Sequence, residues 1–452
     1  MLSSAPRRPG LIRHPDFLKL WTAETISQFG TQVSLLALPL IAATILNVPP
    51  FEFAMLATLE FLPFILLSLP AGVWVDRLRR RPILIVTDVG RAIALISVPV
   101  AVFFDVLTIW QLYVVGFTIG CMTVFFDVAY QSYLPALVER DDLVEGNSKL
   151  EISRSAAQIA GPGTAGFLIG LVTAPLAVVL DAISFLVSAL FLFLIRRPEP
   201  RPEPRVDTAS GKAPGMRREI AEGLRYVLTN RFLRTIAAST ALFNLAGSVA
   251  TSILLLYLVR ELAFTPELLG IAFSLGAIGF LAGALIASRV AARFGVGRTI
   301  VGAAMLSGPA FLPIALAPAD IALPFVAAGG FLGGMGGAIY NINQVSFRQA
   351  ITPERMQGRM NATMRFIVWG TIPVGTITGG FLGGLIGLHE TIWVGAIATL
   401  FAFVPVFLGP VRSIVTMPLP AGQTAVSDPT GEAVDETSWP VVGSPRASLD
   451  QE

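Results

Sequence analysis

The chain is poor in the side chains that most enzymes use for chemistry. Its 452 residues include two histidines and one cysteine. These counts argue against a histidine-based metal site and exclude a disulfide within the chain. The sequence also lacks a phosphate-binding glycine–lysine loop and a nucleophile paired with a base. We therefore expect neither an enzyme, nor a bound metal, nor a resident cofactor.

Charged residues are scarce as well. They make up 14% of the chain, and hydrophobic residues make up 54%, whereas soluble domains carry roughly a quarter charged residues. Such a composition is typical of a protein that crosses a membrane several times. We expect the lipid bilayer, and not a nucleic acid, to be its large partner.

Twelve apolar runs are long enough to cross a bilayer, which takes about 20 residues each. They predict an all-α integral membrane protein with twelve transmembrane helices. The predicted spans are 17–46, 51–75, 83–104, 109–135, 151–173, 175–195, 232–260, 266–288, 299–317, 321–348, 361–387 and 391–410.

Polar stretches divide the chain further. The start of the chain is polar and rich in arginine, and the first apolar run is too long for a signal-peptide core, so we expect no cleavable signal. A short amphipathic helix is predicted near 216–229, and the polar tail is predicted to be disordered. The resulting units are an N-terminal segment 1–16, an N-terminal half 17–195, a linker 196–231, a C-terminal half 232–411 and a tail 412–452.

The basic residues predict the topology. Cytoplasmic loops are enriched in lysine and arginine. Several basic residues occur in the N-terminal segment, in the loop after the second span, in the linker and after the eighth and tenth spans. On the opposite side only Arg260 is basic. We therefore expect a multi-pass protein of the cell membrane with both termini in the cytoplasm.

The two halves repeat each other. Phe17-Leu18-Lys19 opens the first span and Phe232-Leu233-Arg234 opens the seventh, 215 residues later. The fourth and tenth spans match at an offset of 214, as in Gly116/Gly330 and Gly120/Gly334. Two pseudo-symmetric six-helix halves are the plan of a secondary transporter whose site lies between them.

The loop after the second span carries the clearest motif. It contains Gly72, Asp76, Arg77, Arg80 and Arg81 within ten residues, directly before the third span. This spacing resembles the loop signature of the major facilitator superfamily between helices two and three. Arg79 stands where that family usually has glycine.

Two further stretches narrow the resemblance. Gly161, Pro162 and Gly166 resemble the Gly-Pro motif of the family's antiporters, although Ala165 occupies one of its glycine positions. The end of the fourth span and Asp88-x-x-Arg91 on the third resemble the drug:proton antiporter branch, which includes macrolide-efflux-type and enterobactin-exporter-type proteins. The resemblance implies the major facilitator fold and export driven by the proton gradient. We also predict that Gly161-Pro162 interrupts the fifth helix and kinks it.

Carboxylates inside the bilayer are the candidates for proton coupling. Each costs about 2.5–3.5 kcal/mol on insertion scales unless it finds a partner or a wet cavity. The embedded acids lie in the N-terminal half, and Glu24 aligns with Ser239 in the repeat. We hypothesise that Glu60 or Glu24 carries the coupling proton. The alternative is a structural acid, neutralised by an arginine or hydrogen-bonded to the backbone.

Polar stripes mark the first and fourth helices of each half, which in the family line the central cavity. We predict that this cavity binds the substrate, and the alternative is hydrogen bonding between helices. The candidate substrate residues are Gln28, Gln131, Asn244, Ser248, Tyr340, Asn341 and Gln344.

The arginine-rich loop is predicted to belong to a cytoplasmic latch that closes that side in the outward-facing state. By family resemblance, Asp76 would lie near the start of the eleventh helix, whose positive end favours an acid. Asp127 is predicted to pair with Arg154. The alternative for the loop is that it only sets the topology. The latch residues are Gly72, Asp76, Arg77, Arg80, Arg81, Asp127 and Arg154.

The sequence thus predicts a secondary active exporter of a small amphiphilic molecule, such as a drug-like compound or a macrolide. Proton antiport by alternating access is the expected mechanism, with the proton gradient as the energy source. An exporter of a siderophore or another endogenous metabolite is an open alternative, and a transport-dead sensor or scaffold is a third. We expect a monomer.

Overall fold

The structure is a computed structural model that describes Leu11 and residues 14–139, 142–199 and 216–415, apart from the side chains of residues 69, 73, 76, 216–220, 354 and 355. Within this part of the chain every regular element is a helix. Twelve helical segments are long and apolar enough to cross a membrane. The predicted class, an all-α protein with twelve spans, is therefore confirmed.

Six spans form each half. The first six are the helices Pro15–Thr44, Pro50–Arg77, Arg80–Phe103, Ile109–Leu137, Leu143–Val172 and Ala174–Phe193. The last six are Arg231–Arg260, Pro266–Phe294, Val296–Ser307 continued by Phe311–Ala315, Ala322–Ala350, Glu354–Leu385, and Leu388–Leu400 continued by Val404–Leu408. Short 3₁₀ turns lie at Gly308–Ala310, Ala319–Ile321 and Pro410–Ser413.

Local chemistry explains where several helices begin. Asn230 caps the seventh span, because its Oδ1 accepts from the backbone N–H groups of Phe232 and Leu233 at 3.0 and 3.1 Å. Thr173 joins the fifth and sixth spans with φ of 79°, and Gly387 joins the eleventh and twelfth with φ of 104°. These two equivalent sharp turns support the repeat that the sequence predicts.

Three predicted details need correction. The fifth and eleventh helices begin at Leu143 and Glu354, not near 151 and 361, because their first turns are polar and escape a search for apolar runs. The predicted interruption at Gly161-Pro162 is wrong, since the fifth helix runs unbroken through Pro162. The predicted amphipathic helix is confirmed as Met216–Thr229.

This linker helix lies on the C-terminal half. The Tyr226 hydroxyl donates to the carbonyl oxygen of Ile351 at 3.4 Å. Arg359 Nη1 lies 2.7 Å from Glu222 Oε2. The linker helix leads into the seventh span, and the six spans before it place it on the same side of the protein as the start of the first span. Residue 415 lies on that side as well, because its carbonyl oxygen accepts from the backbone N–H of Val296 at the start of the ninth span. We call this the terminal side and the opposite one the far side.

The buried apolar residues show how the halves meet. One continuous cluster joins both halves at the far side and includes Ile41, Phe53 and Leu256. At the terminal side there are two separate clusters, one around Tyr133 in the N-terminal half and one around Phe347 in the C-terminal half. Among the described residues, the buried apolar clusters thus join the halves at the far side, and each of the two clusters at the terminal side belongs to one half.

Specific contacts hold the far side together. Arg260 Nη2 donates to the Ala43 and Val48 carbonyl oxygens at 3.2 and 2.9 Å and to Asn47 Oδ1 at 2.7 Å. We call this arrangement the far-side clasp. It connects the end of the seventh span to the turn between the first and second spans.

Two helix pairs continue the interface towards the middle of the protein. The hydroxyls of Thr58 on the second span and Thr376 on the eleventh lie 2.9 Å apart. On the fifth span, the backbone N–H of Gly163 donates to Ser274 Oγ on the eighth at 2.9 Å. A Cβ at Gly166 would lie 2.2 Å from the Pro266 carbonyl oxygen. The predicted kink motif therefore supplies a close helix–helix approach between the halves.

Candidate functional site

Glu24 lies inside the N-terminal half and is only 5% exposed. Its Oε1 accepts a hydrogen bond from Gln28 Nε2 at 2.6 Å. Its Oε2 is buried and has no hydrogen-bond partner among the described residues. A buried polar atom without a partner is unusual in a folded protein and calls for an explanation.

A basic group that acts on Glu24 is Arg91 on the third span. It is 5% exposed, and its guanidinium lies between the rings of Phe126 and Phe185, 4.4 and 4.2 Å from their centroids. Arg91 forms an ion pair with Asp88, one turn earlier and fully buried. Its charge also acts on Glu24. The sequence analysis used Asp88-x-x-Arg91 for the family resemblance and did not include it in the site.

A third buried acid, Asp181 on the sixth span, was missed by the sequence analysis. It is 1% exposed and accepts hydrogen bonds from the Ser34 hydroxyl and, at 2.9 Å, from the Ser184 hydroxyl. Gly30 makes room for it, because a Cβ there would lie 2.4 Å from Asp181 Oδ1. In the sequence, Gly30, Ser34 and Ser184 resemble ordinary small packing residues. Only the contact between the first and sixth spans shows that they surround Asp181. Glu24, Asp88, Arg91 and Asp181 together form what we call the buried charge cluster.

Glu60 has a different environment. It is half-buried on the second span, and its side chain packs over Gly116 of the fourth, where a Cβ would lie 2.8 Å from Glu60 Cγ. Among the described residues, no side chain donates a hydrogen bond to it and no base pairs with it. Glu60 lies within the second candidate span, and it has no counter-ion among the described residues.

The latch residues that the structure describes interact within the N-terminal half. The Glu199 carboxylate accepts from the backbone N–H groups of Arg80 and Arg81 at 2.7 and 3.1 Å, so it caps the third helix. Arg80 Nη1 lies 3.6 Å from the same carboxylate. Arg81 donates to the carbonyl oxygens of Leu192, at 2.9 Å, and Phe193, at the end of the sixth span.

The other predicted latch residues that the structure describes, Gly72, Arg77, Asp127 and Arg154, form no ion pair with one another in this conformation. Arg77 is exposed, and a Cβ at Gly72 would meet nothing within 4 Å. The side chain of Asp76 lies outside the described residues. Asp127 and Arg154 are both exposed and interact only at longer range, so the predicted ion pair between them is absent here.

Several predicted substrate residues bind neighbouring helices. The Tyr340 and Thr240 hydroxyls lie 2.8 Å apart, and Asn244 Nδ2 donates to the Val368 carbonyl oxygen at 3.1 Å. Ser248 is buried where the eleventh span packs at Gly375. For these residues the alternative of hydrogen bonding between helices fits the geometry.

The other predicted substrate residues differ in how far they are exposed. Gln28 is bonded to Glu24, as described above. Gln344 is buried and its Nε2 donates to Asn341 Oδ1 at 3.0 Å, while Asn341 itself and Gln131 are exposed. Of the predicted substrate residues, Asn341 and Gln131 are therefore the exposed ones in this conformation.

Comparison with known proteins gives matches over nearly the whole chain. A family model described as transmembrane secretion effector matches residues 9–442. The multidrug efflux pump Tap of Mycolicibacterium fortuitum is 28% identical over 423 residues, which cover 89% of this chain and 97% of that protein. The macrolide efflux protein A of Streptococcus pyogenes is 21% identical over 416 residues, covering 88% and 97%. An uncharacterized MFS-type transporter of Bacillus subtilis, YfiS, is 27% identical over 285 residues, covering 62% and 66%.

Solved structures share the fold. A bacterial homologue of the iron transporter ferroportin in the inward-facing state superposes with a TM-score of 0.69 at 17% identity, covering 88% of this chain and 99% of that one. A bacterial ferroportin homologue in the outward-facing state gives a TM-score of 0.52 at 18% identity, covering 87% and 98%. Both comparisons show the same fold.

Proposed function

Because the chain belongs to the transmembrane secretion effector family, within the major facilitator superfamily, we propose that it exports a small amphiphilic molecule in exchange for protons. The family is one of membrane transporters and not of enzymes. The observation that carries the proposal is Glu24, a buried acid with one unpartnered oxygen beside a fixed arginine. Such an acid can change its protonation state when its surroundings change.

The packing of the halves supports a mechanism of alternating access. One apolar cluster and the far-side clasp join the halves, whereas the buried apolar clusters described at the terminal side each belong to one half. With the terminal side in the cytoplasm, as the basic residues predict, this is an inward-open conformation.

Export is the direction supported by the relatives, which are named as a multidrug efflux pump and a macrolide efflux protein. We propose a substrate of that chemical kind, a largely apolar molecule with a few polar groups. Exposed amides such as those of Gln131 and Asn341 would contact its polar groups.

Glu24 fits the role of proton carrier better than Glu60 does. A coupling acid must be stable both with its proton and without it. Glu24 has Gln28 as a hydrogen-bond donor and the charge of Arg91 nearby, so its anion has partners. Glu60 has no such partner and would keep its proton throughout the cycle.

The proposal is tested by accumulation of a panel of dyes and drugs in inside-out membrane vesicles. We expect accumulation when the lumen is acidic and its loss when an ionophore collapses the pH gradient. Vesicles without the protein provide the background. Accumulation that persists without a pH gradient, or that requires ATP, would show that proton antiport is not the mechanism.

A further inference from the structure

The buried charge cluster contains more acids than bases. Asp88 is paired with Arg91, and Asp181 accepts hydrogen bonds from two serine hydroxyls. Glu24 accepts one hydrogen bond, and its Oε2 has none. Asp88 Oδ2 is also buried without a hydrogen-bond partner among the described residues, but Asp88 forms an ion pair with Arg91. An ionised carboxylate that is buried without an ion-pair partner is costly, so Glu24 is the member best suited to hold a proton in this conformation.

Arg91 has a hydrogen-bond donor that is not used. Its Nε is buried and has no partner among the described residues. The rings of Phe126 and Phe185 hold its guanidinium from both faces, which favours a cation at this point. Its charge acts on Glu24, Asp127 and Asp181 in addition to Asp88. A fixed cation that acts on several acids can stabilise the anion of any one of them. It stabilises one acid more strongly when a neighbouring acid is neutral.

The positions of the C-terminal half that are equivalent to the buried charge cluster carry no charged side chain. Its spans repeat those of the N-terminal half 214 to 216 positions later, as the turns at Thr173 and Gly387 illustrate. The positions equivalent to Glu24, Asp88, Arg91 and Phe126 are Ser239, Ala304, Ser307 and Tyr340.

These four C-terminal positions border a small cavity of about 30 Å³. The equivalent place in the N-terminal half contains the Asp88–Arg91 ion pair. One half of this fold therefore has neutral side chains at these positions, and the repeat itself does not require charge there. Packing alone therefore does not explain the Asp88–Arg91 ion pair.

We propose that Arg91 is a positioning residue for proton exchange at Glu24. When Glu24 is protonated, Arg91 stays with Asp88. When Glu24 releases its proton to water at the open terminal side, Arg91 stabilises the resulting carboxylate and shares its charge between Glu24 and Asp88. This inference rests on the proposed proton antiport and adds the residue that sets the acidity at which the proton leaves.

Other charged and titratable groups also face this region, and each could move a pH dependence. Tyr130 on the fourth span lies among Glu24, Asp127 and Arg154. The groups to be considered around Glu24 are Asp88 and Arg91 on the third span, Asp127 and Tyr130 on the fourth, Glu151 and Arg154 on the fifth and Asp181 on the sixth.

The test is the pH profile of dye accumulation in inside-out vesicles, with the outer pH varied at a constant gradient. Arg91→Gln removes the cation, so proton release from Glu24 should need a more alkaline outer pH, and the profile should move by about one pH unit or more. Asp88→Asn frees Arg91 for Glu24, so the profile should move in the opposite direction. Arg91→Lys keeps the charge and should stay near the wild type. A purely structural role would not give opposite shifts.

A matched control comes from a second ion pair with the same spacing. Asp16 and Lys19 lie on the first span, 2.8 Å apart, near its terminal end, and Asp16→Asn and Lys19→Gln should leave the profile unchanged. Profiles of Arg91→Gln and Asp88→Asn that coincide with a proton-coupled wild type would overturn the role of Arg91 alone. A wild type without pH-dependent accumulation would overturn the proposed function. If Arg91→Gln does not fold, the Asp88→Asn profile decides, and an unshifted one overturns the inference.

Discussion

Glu24→Gln should abolish proton-driven accumulation of substrate while leaving exchange of substrate across the membrane intact. Glutamine has nearly the same shape and can keep the hydrogen bond with Gln28, but it cannot bind and release a proton. The halves can then still rock with substrate bound, whereas the gradient no longer does work. We expect accumulation to fall to the background of vesicles without the protein, and counterflow of labelled against unlabelled substrate to continue.

The matched control is Glu60→Gln, the same change in the same half at a half-buried acid. Glu60 has no counter-ion among the described residues, so we expect it to remain protonated. The Glu60→Gln protein should therefore retain accumulation. Normal accumulation in the Glu24 variant would remove Glu24 from the mechanism. Loss of accumulation in the Glu60 variant alone would assign the proton to Glu60.

Arg260→Ala should open the far side. The substitution removes three hydrogen bonds from one guanidinium to Ala43, Asn47 and Val48. A hydrogen bond to a charged group contributes about 1.5–3 kcal/mol when well formed. Even one such loss would shift the ratio of closed to open far side roughly tenfold or more.

The measurement is labelling of a cysteine placed at Thr58, which is 5% exposed between the halves. The natural Cys121 would first be replaced by serine, so that this is the only thiol. A maleimide that does not cross membranes should label the Arg260→Ala protein much faster from the far side. Arg289→Ala is the control, because Arg289 donates to Leu285 of its own helix. Equal labelling of all three proteins would show that the far-side clasp does not hold the halves together.

The sequence predicted most of the architecture because hydropathy alone reports membrane spans. It placed all twelve, and the repeat gave the two halves. Helix starts at Leu143 and Glu354 were missed, since polar first turns carry no hydropathy signal. The effect of Pro162 was also wrong, because the loss of one backbone hydrogen bond did not break a helix packed closely between neighbours.

The site was predictable only in part. Glu24 and Glu60 were found because an acid in an apolar run is conspicuous. Asp181 was overlooked, and Glu199, which caps the third helix from the linker, has a role that depends on contacts 118 and 119 positions away in the chain. Arg260 was counted as a topology exception, and only the folded arrangement shows that it joins the halves.

With proton exchange at Glu24 coupled to alternating access, we expect the proton on Glu24 to set which side of the protein is open. The most direct measurement is the distance between spin labels at Val144 and Phe294, which are exposed at the terminal ends of the fifth and eighth spans. Across the range of pH, the wild-type distances should shift between a longer and a shorter population. The Glu24→Gln protein should show the acidic wild-type distribution at every pH. A pH response in that variant equal to the wild type would contradict the account.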